Sequence, residues 1–373
     1  MEEQNNKIEF DIVIDALLND EAAFPIEYFV EFSDILQPDL VALKKVWNQI
    51  TPQRKAKLFE NLEVIYEADY TKDFSQVAIL GLDDINGVIR ASSIRLLDDI
   101  ESRRLIAPLV HLLLNDLEIS VRAQAAASLG KFVYLGELEE IPEQDLDHVE
   151  DALMQVLVSD EHELVRQKAL ESIGYSGSEE VKSYIQNAYL SANNSWIKSA
   201  LVAMGRSADD FWEDKVLEAL LNPNQYIQRE AIRAAGELEI KSARKLLVKQ
   251  IIQDTLEEEN WAVAIWALSK IGGEGVEDLF QSLLEKAEEE QEILFLEDAI
   301  ENLQLTNGIL PELDLLDINE VDESRLREFS IDDDDLSDEL FRDSWIKSME
   351  RNLEDEDDFD EDEYYDDDEE IED

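Results

Sequence analysis

Three times in this chain of 373 residues an aspartate is followed six residues later by an arginine: Asp84–Arg90, Asp116–Arg122 and Asp160–Arg166. A row of guanidinium groups could hold an anionic ligand. The same residues could instead neutralise one another, carboxylate against guanidinium. Each acid falls just before a stretch of helical periodicity, where negative charge complements the helix dipole, and each arginine could reach the carboxylate of its own or an adjacent unit. Pairing accounts for both residue types, so the six residues are assigned to a structural ladder. Other reactive groups are scarce. The absence of cysteine excludes disulfides, thiolate metal sites and thiol nucleophiles. Of three histidines, His111, His148 and His162, only the last is followed by glutamate, Glu163. No zincin, P-loop, nucleophile-elbow or dinucleotide motif occurs. Gly272, Gly273 and Gly275 form a cluster that reads as a cap and turn. Carboxylate pairs are too frequent to single out an acid–base couple, and the acidic runs lack EF-hand spacing. No catalytic residue, cofactor or metal is expected, and the chain is not expected to be an enzyme.

The ladder residues belong to a longer repeat that must position them. With Arg122 as column zero, equivalent positions recur at Arg90, Arg166, Ile197, Gln228, Ala264 and Leu296. The residue before zero is apolar each time (Ile89, Val121, Val165, Trp196, Ile227, Val263, Phe295). The third after zero is small, serine or alanine, and the fourth and seventh are mostly aliphatic. These positions share one face of a helix. Column eight holds Gly130, Gly174, Gly205, Gly236 and Gly272, five of the twelve glycines in the chain, and glycine there fits a helix C-cap. A second helix precedes each copy. Units of 31 to 44 residues built this way imply an all-α solenoid of antiparallel helix pairs. The longest step contains residues 134–144, which read as an inserted loop after Gly130. Residues 1–66 read as a divergent helical cap, with Thr51 capping a helix that starts at Pro52 and Arg54 near column zero. Residues 67–307 form the repeats. Residues 308–373 carry 31 acidic and 5 basic side chains and read as a largely disordered tail.

The net charge of −59 opposes direct binding to a phosphate backbone and favours a basic partner. No apolar run approaches membrane-spanning length, and no signal peptide is visible; a cytoplasmic, non-membrane protein is expected. Columns one and five of the repeat point away from the apolar stripe and read as an exposed ridge. In the later units that ridge carries Lys198, Arg229 and Arg233, with Trp266 close in sequence register, a short cationic and aromatic strip. Within the tail, residues 335–353 place Phe341, Trp345 and Met349 four apart, as on one side of an amphipathic helix. That segment is expected to recognise a partner, to dock in cis on the Lys198–Arg233 strip, or to fold back on the helix at 290–304.

The runs DLEISVRAQAAASLG and DEHELVRQKALESIG, with D-x5-R, small residues and a terminal glycine, resemble HEAT repeats, more narrowly the HEAT-like repeats of phycobilisome bilin lyases. The resemblance spans about residues 73–305, and 38–66 more weakly. It implies an armadillo-like superhelix acting as a protein-binding scaffold. Deoxyhypusine hydroxylases, a related HEAT-like family, hold two irons with several His-Glu pairs, and one pair cannot build that site. The expected function is a non-enzymatic interaction scaffold or adaptor with a protein partner, basic or carrying an amphipathic helix. The alternatives are an acidic chaperone or nucleic-acid mimic that sequesters a basic protein, and a bilin-lyase-like enzyme.

Overall fold

The computed structural model describes residues 8–159 and 161–306. Asp160 and residues 307–373, including Phe341, Trp345 and Met349, lie outside them. Among the described residues every regular element is helical. The chain divides into two units, Met1–Leu247 and Val248–Asp373.

The first unit begins with α1 (Phe10–Leu18), a 3-10 helix at Ile26–Phe32, α2 (Gln37–Val46) and α3 (Pro52–Ala68). Five helix pairs follow: α4 (Ser75–Gly81) with α5 (Gly87–Leu96), α6 (Ile106–Asn115) with α7 (Ile119–Glu137), α8 (Glu143–Leu157) with α9 (Glu163–Ile173), α10 (Glu179–Tyr189) with α11 (Asn194–Arg206), and α12 (Glu213–Ala219) with α13 (Gln225–Glu237). The second helix of each pair packs against its partner and against the second helix of the next pair, as an α-solenoid requires. Helix α14 (Arg244–Ile252) contains the division. The second unit holds α15 (Glu258–Ile271), α16 (Val276–Leu284) and α17 (Glu290–Thr306), with α17 packed on both others.

Two polar columns fix where the second helices start. Four residues before column zero stands a side chain that caps the helix: Asn86 accepts from the Val88 amide, His162 from Leu164, Asn193 from Ser195, and Asn224 from Tyr226 and Ile227. Thr51 does the same for α3, accepting from Arg54 at 3.3 Å. This satisfies amides that have no partner inside the helix. The cap at Thr51 places Lys55, rather than Arg54, in column zero. Six residues before zero, Asp84, Asp116, Ser191 and Asn222 each accept from the amide two residues on. That is an Asx or Ser turn, which these short polar side chains favour.

The column of glycines has a different role from the expected cap. Only Gly272 among them has positive φ, 60°, and ends its helix. Gly130, Gly205 and Gly236 lie inside α7, α11 and α13, and Gly174 follows α9 in right-handed conformation. A Cβ on Gly130 would lie 3.0 Å from Ser172 Oγ; one on Gly174 would lie 2.6 Å from Ala203 Cα; one on Gly205 would lie 3.2 Å from Ala234 Cα. In each case column eight of one repeat meets column six of the next, and glycine lets the two helices close. The expected loop at 134–144 is also corrected. Helix α7 runs on for two turns past Gly130 because Phe132, Val133 and Leu135 are buried; only residues 138–142 form the turn before α8.

Candidate functional site

The ladder of acids and arginines connects successive repeats. Arg90 grips Asp116 of the next repeat with two hydrogen bonds of 2.6 Å, while its third donor reaches the Asp84 carbonyl of its own turn at 2.7 Å. Arg122 repeats the pattern, donating to Glu161 at 2.8 and 2.9 Å and to the Asp116 carbonyl at 2.8 Å. The carboxylate partner of Arg122 is therefore Glu161. Lys55 takes the first place and pairs with Asp84, which also accepts from Trp47 Nε1 at 2.8 Å. Lys55 and Asp84 are both almost wholly buried. Hydrogen bonding to Asp116, opposed by burial, holds the Arg90 guanidinium above its usual pKa. Burial opposes ionisation of Asp116, but Arg90, the Glu118 amide and Arg122 outweigh it and hold the carboxyl below its usual range. Arg122 does the same for Glu161. Arg166 departs from the series: it donates to the Leu157 carbonyl at 3.0 Å and lies 5.3 Å over the Trp196 ring. Asp160 lies outside the described residues.

Columns one and five are not an exposed ridge. In α9 and α11 they form the side that faces the next repeat and are buried or half-buried, whereas column five of α5, Arg95, turns back to Glu63 of α3. Gln167 (column one) donates to Ser195 at 2.8 Å, and Glu171 (column five) accepts from Ser199 at 2.6 Å. Arg229, 5% exposed, and Ile265, wholly buried, confirm that column one is largely enclosed. Packing between repeats thus uses positions that a single-helix periodicity leaves over. In the second unit the same side of α15 meets α17, where Asn302 donates to Ser269 at 2.8 Å.

Within the first unit, the expected strip becomes a compensated network across α9, α11 and α13. Lys198 and Arg229 both sit 5.6 Å from the Tyr226 ring centre. Arg233 lies 3.6 Å from Glu230, and Lys168 3.3 Å from Glu171. Further along the same surface, Arg206 stacks 5.2 Å over Tyr175, whose ring lies 5.3 Å from Tyr134. Arg206 also donates to the Glu171 carbonyl at 3.0 Å. Trp266, on α15, belongs to the other unit, where it is half-buried. Sequence reading missed Tyr134, Tyr175, Trp196, Arg206 and Tyr226. The signal that could have found them is the pairing of an aromatic with a cation one repeat away. Helices α9, α11 and α13 carry six basic and four acidic side chains, net +2, within a chain of net charge −59.

The two acids of this network differ in sign. Burial favours neutral Glu171, but Lys168, Ser199 and Arg206 together hold it below the usual carboxylate range. Burial raises Glu230 against the opposing pull of Arg233, with Glu171 adding to the rise. The histidines have structural contacts: His162 caps α9, and His111 lies 3.3 Å from Asn115. Glu163 is occupied by Asn193 at 2.9 Å. Among the described residues no group of three or more His, Asp or Glu is placed to hold a metal ion, and no helix is long and apolar enough to cross a membrane.

A family model described as HEAT repeats matches residues 213–304. No curated protein matches the chain. Among solved structures, the chain is similar to YibA of Escherichia coli, at 16% identity and TM-score 0.40, covering 76% of this chain and 98% of that one. It is similar to the karyopherin Kap121p, solved bound to the extreme C-terminus of the phosphatase Cdc14p, at 15% identity and TM-score 0.41, over 78% of this chain and 36% of that one. Human deoxyhypusine hydroxylase is similar at 15% identity and TM-score 0.30, over 80% and 96%. The narrower likeness to bilin-lyase repeats finds no counterpart in these matches. The matched segment, residues 213–304, is similar to HEAT repeats, and the helix pairs described above have the paired, all-helical arrangement that such repeats form.

Proposed function

We propose that this protein is a non-enzymatic interaction scaffold that binds a protein partner on the α9–α11–α13 surface of its first unit. The observation that carries this reading is the cation–aromatic network of Tyr175, Arg206, Lys198 and Tyr226, with Arg233 paired to Glu230 on the same helices. Such pairs fix large, flat, amphipathic groups at low entropic cost and are enriched where proteins meet. Its local positive excess lies in a strongly negative field. The surface therefore suits a segment with a few carboxylates and an apolar side, while the surrounding acid steers a partner that is basic elsewhere.

The second reading, sequestration of a basic protein by overall acidity, rests on the net charge alone. Affinity capture with the full chain and with a Tyr175→Ala/Arg206→Glu/Arg233→Glu variant separates the two. A partner retained by the native chain at moderate salt and lost by a variant of unchanged thermal midpoint supports the scaffold. Partners held equally by both proteins and released steeply by salt would overturn it in favour of sequestration.

A further inference from the structure

On α9, columns one, five and eight form the side that receives the following repeat. Gln167 meets Ser195, Glu171 meets Ser199, and Gly174 meets Ala203. On α17 those columns are Glu297, Glu301 and Gln304. Together with Ile300, Leu305 and two residues of α16, Gln281 and Leu284, they line an open cleft. Leu305 is 57% exposed at its edge. Glutamine replaces the glycine of the other repeats, so a backbone cannot approach as closely here. Among the described residues no helix follows to fill the cleft.

We propose that the cleft is a docking site for the chain's own residues 335–353, which would cap the second unit. Three observations select this occupant. The chain leaves α17 beside the cleft, and the intervening residues 307–334, 28 in number, span about 30 Å as a flexible linker. That exceeds the roughly 25 Å length of a 17-residue helix such as α17. The segment's stripe of Phe341, Trp345, Met349 and Leu353 supplies apolar side chains for Leu284, Ile300 and Leu305. Its charge is the least unfavourable in the tail: it holds Arg342, Lys347 and Arg351, three of the five basic residues in 308–373, against five acids, a net of −2 where residues 308–373 as a whole carry −26, and Arg342, next to Phe341, is the guanidinium that docking would bring to Glu297 and Glu301. Tethering raises the effective concentration to the millimolar range. This cap is separate from the partner surface proposed for α9–α11–α13.

Amide hydrogen exchange on the full chain tests it. In a Phe341→Asp/Trp345→Asp variant, exchange across residues 296–306 should accelerate about tenfold or more, while α9–α13 stays unchanged. Glu297→Lys/Glu301→Lys should give the same acceleration in α17, and adding Arg342→Glu should reverse part of it. Unaltered exchange in α17 for the Phe341/Trp345 variant overturns the proposal. So does acceleration confined to α9–α13, which would place the segment on the other surface. Protection of α17 that rises with protein concentration also overturns it, because the occupant would then be a second copy.

Discussion

The early and late repeats of the first unit use their cations differently. From α3 to α9, column zero carries Lys55, Arg90, Arg122 and Arg166, and the first three join a turn acid of the next repeat. From α11 to α13, column zero becomes Ile197 and Gln228, and the cations move to Lys198, Arg206, Arg229 and Arg233, stacked on aromatic rings or set beside Glu230. One architecture thus supports two assignments of charge: cohesion between repeats in the first half, a decorated surface in the second. Ladder substitutions should therefore cost stability and spare binding, and surface substitutions the reverse.

The largest effect is expected at Asp84. Asp84→Ala leaves the buried Lys55 ammonium and Trp47 Nε1 without their acceptor, and should destabilise by about 3–5 kcal/mol, measured by urea unfolding. Arg90→Met strands a nearly buried Asp116 and should cost about 2–3 kcal/mol. Gly174→Ala forces a Cβ to within 2.6 Å of the Ala203 backbone and should cost about 1–3 kcal/mol. Gly177→Ala, whose nearest neighbour is a Glu137 oxygen at 3.6 Å, should change stability by less than about 1 kcal/mol. Equal costs for the two glycines would refute close approach as the reason for the column.

The ladder acids and Glu230 shift in opposite directions. Asp116 and Glu161 have folded pKa values below the ordinary 3.8 and 4.5, so the folded state binds fewer protons than the unfolded. Their stabilisation is complete above the unfolded values and is lost as pH falls through the folded ones. Asp116→Asn/Glu161→Gln should therefore start less stable and decline less between about pH 5 and 3 than the native chain. Glu230 is raised, and its contribution runs the other way, present at low pH and lost as pH rises through its folded value. Glu230→Gln should be neutral or slightly stabilising at pH 7, and a clear loss there would contradict its assignment. Arg206→Ala should likewise change stability little, by about 0.5–1 kcal/mol at most, with reduced partner capture as its main consequence.

The repeat columns made the helix pairs legible because a helix that buries one face must repeat its apolar positions. Arg90 and Asp116 were legible as a pairing system, but not its direction, because the spacing of six within a turn is the same whether an arginine reaches its own repeat or the next. Arg54 and Lys55 are adjacent cations; only the Thr51 cap, four residues before Lys55, identifies which is inward. The glycine column was visible and its cause was not. Caps and close contacts both demand glycine, and the difference lies in a neighbour 29 residues away for Gly174 and Ala203. Arg229 looked exposed because single-helix periodicity sees one packing partner, whereas α13 packs on both α11 and α12. The cation–aromatic surface joins residues such as Tyr175 and Arg206, which share column nine of successive repeats, a column whose residue type changes from repeat to repeat and which the apolar and glycine columns do not single out.

Thr51, Asn86, His162, Asn193 and Asn224 each close the entrance to a second helix by a contact internal to a few residues. Most of these turns can therefore form before any neighbour arrives. In kinetic terms each repeat carries its own start signal, and the slow step shifts to docking between repeats. The Arg90–Asp116 and Arg122–Glu161 contacts belong to that docking step, since each joins one repeat to the next.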